Sequence, residues 1–127
     1  MELIAWLHTM TVCIALASYA VSSAGFANSL WIVHVLDIMC PLCFMSFRLR
    51  GQPMADFCQM YTLALSVVKV YAVVIESVVV ARHINTLCCG EAFIHIVVLL
   101  VAGVVSILFS LLEFSIAHTM APKRHAH

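Results

Sequence analysis

Long apolar runs dominate this chain, and short polar clusters divide it into four. The runs at about residues 3–21, 26–47, 57–81 and 92–117 are each of a length to cross a bilayer, since a spanning helix needs roughly 20 apolar residues. Ser22-Ser23-Ala24-Gly25 separates the first two. Arg48-Leu49-Arg50-Gly51-Gln52-Pro53 separates the second and third. Residues 82–91, with Asn85 and Gly90, separate the last two, and Pro122 closes the fourth near the surface. Valine is abundant, but the runs do not alternate and are about twice the 9–11 residues of a barrel strand. Helices satisfy their own backbone hydrogen bonds, as lipid requires. The pattern predicts an all-α membrane protein, one transmembrane domain over residues 1–127 built as a four-helix bundle.

Polar residues inside these runs follow a helical period. Within SVVKVYAVVIES, residues 66–77, Lys69 and Glu76 stand seven positions apart. Thr62, Ser66 and His83 extend the same face, interrupted by Val73 and Val80. Two turns of helix separate Lys69 from Glu76 by about 10 Å, so each is expected to find its partner on another helix. The second run offers His34 and Asp37 on one face. Asp37 and Lys69 both fall near the middle of their runs, and His34 and Glu76 both lie a little toward the far side. The expected pairs are Asp37 with Lys69 and His34 with Glu76. An unpaired lysine or aspartate at mid-bilayer costs at least about 2.5–3.5 kcal/mol on the insertion scale, which favours pairing facing the bundle interior. Such pairs serve either assembly, locking helix to helix or subunit to subunit, or function, as an ion or proton relay, a cofactor counter-charge or a substrate site.

Composition agrees with a lipid solvent. The chain is 65% hydrophobic and 9% charged, against about 25% charged in an ordinary soluble domain, and its mean hydropathy is +1.11. Net charge is zero, and no basic run offers a grip on phosphate, so nucleic acid is not an expected partner. Arg48, Arg50, Lys123 and Arg124 fall on one side of a four-span topology, and Arg82 with Glu91 on the other. The positive-inside rule then expects both termini on the cytoplasmic or equivalent side. A cleaved signal peptide ending near Ser22-Ser23-Ala24 is the rival arrangement; it lacks a basic start and carries Glu2 instead.

Candidate chemistry is limited to histidines and thiols. His34 and His95 lie on the same half of the membrane and are the expected ligands if a b-type haem is bound between helices, with His83 a weaker choice. His125 and His127, at a tail, make no closed metal site. Cys40-Pro41-Leu42-Cys43 has the spacing of a redox pair, although apolar burial disfavours a thiolate; the alternative is small core thiols. Gly103, Ser106 and Ser110 form a small-residue face for close helix approach. Glu113, one turn or so from the end of its run, is expected to snorkel, to meet His118, or to contact another subunit. No Walker loop, dinucleotide fingerprint or hydrolase triad is present.

Three functions fit: a small accessory or anchoring subunit of a larger membrane complex; a small oligomeric transporter or channel component using its intramembrane charges; and a haem-bearing anchor of a respiratory oxidoreductase. The expected partners are the bilayer, other membrane subunits, or further copies of the chain.

Overall fold

The computed structural model describes residues 2–21, 30–51, 55–82 and 91–119. They form five helices: α1 (Glu2–Val21), α2 (Leu30–Asp37), α3 (Met39–Arg50), α4 (Asp56–Arg82) and α5 (Glu91–Thr119). Helices α2 and α3 run on as one span, Trp31–Arg50, so the described helices make four spans of length and apolarity sufficient to cross a membrane. The chain is an all-α, multi-span membrane protein.

The second span is broken at Ile38 for an identifiable reason. Pro41 has no N–H to give to the carbonyl of Asp37, and its ring crowds that carbonyl. The Ile38 N–H tightens to Val35 O at 3.3 Å, and the Leu36 carbonyl beside the break accepts the Tyr61 hydroxyl of α4 at 2.6 Å. The span then continues to Arg50, beyond the expected limit near residue 47, because no breaker lies between Pro41 and Gly51. Gly51 has φ +64° and ends α3 in the left-handed region, where a residue without Cβ is favoured.

Helix α5 is the hub, packed chiefly against α1 and α4. The bundle reverses the rule for a protein in water. In α1, Leu3, Trp6, Leu7, Met10 and Ile14 face outward, while Ala5, His8, Val12 and Ala15 face inward. In α4, Thr62, Ser66, Lys69 and Glu76 are all buried, and Val67, Val70, Tyr71 and Val74 are exposed. The outside is a surface for hydrocarbon and the inside holds the polar groups. Small residues allow close approach of α5 to its neighbours: Ala102, Gly103, Ser106 and Ser110 are buried. Hydroxyls of Thr62, Ser66 and Ser106 bond to carbonyls three or four residues back in their own helices, which satisfies them without water.

Candidate functional site: a buried charge cluster

Four spans each send a polar side chain to one place. From α4, Lys69 stands at the midpoint of its helix and is fully buried. Its ammonium donates to Asp37 Oδ1 at 2.8 Å, to Ser110 Oγ at 2.5 Å and to the Ser106 carbonyl at 3.1 Å. Three donors meet three acceptors, so the charge is fully solvated by protein. From α2, Asp37 spends its second oxygen on α1: Oδ2 lies 2.7 Å from His8 Nε2. The other nitrogen of that ring, Nδ1, lies 2.7 Å from Glu113 Oε1 of α5. The imidazole thus bridges two carboxylates and stacks near Phe109, with ring centroids 5.9 Å apart. His8, Asp37, Lys69, Ser106, Ser110 and Glu113 are all 0% exposed. Such burial is tolerable because the charges meet opposite charges and hydrogen-bond partners.

Asp37 and Lys69 therefore meet. His34 and Glu76 do not: His34 Nε2 turns to the Leu99 carbonyl of α5 at 3.2 Å, and its Nδ1 has no hydrogen-bond partner. Glu76 is buried and engaged elsewhere. Glu113 does not snorkel, and His118 stacks on Phe114 instead of meeting it, at a centroid distance of 5.9 Å. His8 was not singled out by the sequence. It lies at the same height as Glu113 on an antiparallel helix, a signal usable only once α1 is known to pack on α5.

His34 and His95, the histidines expected at a haem, are each bonded to a neighbouring helix. His34 is fully enclosed and gives Nε2 to the Leu99 carbonyl. His95 is half-buried and its Nδ1 is 2.7 Å from Ser18 Oγ. These bonds tie α2 to α5 and α1 to α5. His83, His125, His127, Cys88 and Cys89 lie outside the described residues. Among the described residues no His, Cys, Asp and Glu group is arranged to hold a metal ion. In the cluster, Asp37 and Glu113 meet different nitrogens of the His8 ring.

Cys40 and Cys43 have different surroundings. Cys40 is buried against Asp37 and Thr62, whereas Cys43 is half-buried and faces Cys58 of α4. Both Cys43 and Cys58 pack on the group formed by Ala5, Phe44, Phe47 and Ala117. All four described cysteines are free thiols. Comparisons with family models, with curated proteins and with solved structures return no match to this chain.

Proposed function

We propose that this chain is a small transport-type membrane protein, a transporter or channel component whose working centre is the His8–Asp37–Lys69–Glu113 cluster. The observation that carries the reading is the place of the helix break. The second span is interrupted directly after Asp37, at the residue that links Lys69 to His8. Discontinuous spans with charged groups near the midplane are the usual construction of ion and substrate sites in transporters, because freed carbonyls and a weakened ladder allow one half-helix to move. Asp37 rides on that movable joint. By the positive-inside rule, Arg48 and Arg50 set the α3–α4 connection on the cytoplasmic side.

The test is whether water reaches the cluster. A full-length variant keeping Cys40 and replacing the other five cysteines by serine or alanine is reconstituted in liposomes. It is then treated with a small water-soluble thiosulfonate. Opening at the break gives progressive modification of Cys40 in the folded protein. Modification seen only after denaturation overturns the reading.

A second reading, an accessory or anchoring subunit, is favoured by the short connections between the spans. The other support for it, that the intramembrane charges seek partners on a neighbouring protein, is weakened by the partners found within the chain for Asp37, Lys69 and Glu113. Native mass spectrometry after gentle extraction separates the two readings. A defined hetero-complex favours the subunit, and a lone chain or homo-oligomer favours transport.

A further inference from the structure

We infer that the species handled by the cluster is the proton, passed along Glu113, His8 and Asp37, and that the cluster excludes metal cations. The inference rests on the transport reading and deepens it. The argument begins with the two 2.7 Å contacts of His8. A ring nitrogen and a carboxylate oxygen at this distance are bonded only when a proton lies between them. Two contacts therefore require two protons shared among one imidazole and two carboxyl groups.

Three arrangements satisfy that count. Both protons sit on His8, between two carboxylates; or one sits on Glu113 and donates to Nδ1; or one sits on Asp37 and donates to Nε2. Each arrangement holds the same number of protons, and with the Lys69 ammonium each has zero net charge. Passing from the doubly protonated His8 to either other arrangement breaks one N–H bond and forms one O–H bond, the nitrogen keeping the electron pair, over a single hydrogen bond; the two carboxylic-acid arrangements interconvert through it. No charge is added to or removed from the low-dielectric interior, so the large cost of burying a net charge is avoided. The groups that face this line are Asp37 from α2, Glu113 from α5, Lys69 from α4 through Asp37, and Cys40 of α3 against Asp37.

The same contacts leave no room for a metal cation. Asp37 Oδ1 holds Lys69 and Oδ2 holds His8. All three donors of Lys69 are engaged, and the ammonium occupies the place a cation would take. A hard cation needs about six oxygen ligands, whereas the cluster carboxylates offer one unbonded oxygen, Glu113 Oε2.

Among the described residues, two buried polar atoms without hydrogen-bond partners flank the line: Glu113 Oε2 and His34 Nδ1. Glu113 is on the half of the membrane toward the end of α5 at Thr119, about 9 Å away along the helix at 1.5 Å per residue. His34 is one turn from Asp37 toward the opposite half. Buried orphans are uncommon and call for an explanation. Here they stand on either side of the cluster, where entering water would find an acceptor and a ring nitrogen. Proton exchange with both sides is thereby supplied with its first contacts.

The experiment uses the full chain in phosphatidylcholine–phosphatidylglycerol vesicles with internal pyranine. An outward potassium gradient and valinomycin set the interior negative. The expected result is acidification at least about ten-fold faster than in protein-free vesicles, a modest demand beside the roughly 10²–10⁴-fold that a positioned acid–base group contributes. It is unchanged when external choline is replaced by sodium. Glu113→Gln keeps the hydrogen bond to His8 but has no proton to pass, and is expected to lose this flux while retaining its helical circular dichroism. Persistence of flux in that variant overturns the relay. Wild-type vesicles that take up radioactive sodium but no protons overturn the proton assignment and leave transport standing. The same holds if Cys40 is modified and neither ion moves. An unmodified Cys40 with no flux overturns both.

Discussion

Lys69→Met retains an unbranched side chain of similar length and removes the ammonium at the centre of α4. Asp37 Oδ1 then loses its 2.8 Å partner and keeps only the Ser110 hydroxyl at 3.5 Å. Removing one member of a buried ion pair typically costs about 3–5 kcal/mol, because the survivor is left uncompensated. His8 still donates to Oδ2, which places the expected loss in the lower part of that range. Asp37→Asn strands the ammonium among neutral acceptors at a similar cost. In the double variant neither charge remains, and its loss should fall short of the additive sum by about 2–3 kcal/mol. The effect of the Asp37→Asn change on His8 occurs with and without Lys69 and largely cancels from the cycle. The assay is reversible unfolding in mild detergent, followed by far-ultraviolet circular dichroism, on all four proteins. Additivity within about 0.5 kcal/mol would refute direct pairing, since this is the behaviour of independent sites.

Two further outcomes are expected. Pro41→Ala restores an N–H for the Asp37 carbonyl and removes the ring that crowds it, which favours a continuous second span. It should therefore slow modification of Cys40 by the water-soluble thiosulfonate, and equal or faster modification would show that the break is not the opening joint. Cys43 and Cys58 should form an intramolecular disulfide under mild oxidation with copper phenanthroline, seen as a faster-migrating band on non-reducing gels. The band should vanish in Cys58→Ser and persist in Cys40→Ser, and the reverse pattern would contradict the packing of α3 on α4.

The architecture was legible because lipid leaves few choices. Run length and lack of alternation specify helices, and the breakers at Gly51 and Pro41 mark where a span stops or bends. The inward face of α4 was legible as well, since Thr62, Ser66, Lys69 and Glu76 share a helical period. Matched depth on adjacent antiparallel spans sufficed to place Asp37 beside Lys69. Depth could not place His34, because its direction depends on the rotation of a short half-helix. In the structure its ring meets the Leu99 carbonyl of α5. His8 and Glu113 were missed as a pair for a different reason. They are 105 positions apart, and nothing in the four runs states that the first packs against the last. The spacing of Cys40 and Cys43 was a poor guide because a half-buried neighbour on α4 faces one thiol and the charge cluster faces the other.

The central claim is that His8 holds two carboxylates at once inside the bilayer. Solid-state nuclear magnetic resonance on the full chain in lipid, with nitrogen-15 histidine and carbon-13 carboxyl labels, measures this directly. The account predicts dipolar coupling from Nδ1 to the Glu113 carboxyl carbon and from Nε2 to the Asp37 carboxyl carbon, each lost in the matching Glu113→Gln or Asp37→Asn sample. A ring nitrogen with no carboxyl neighbour in the wild-type protein would contradict it.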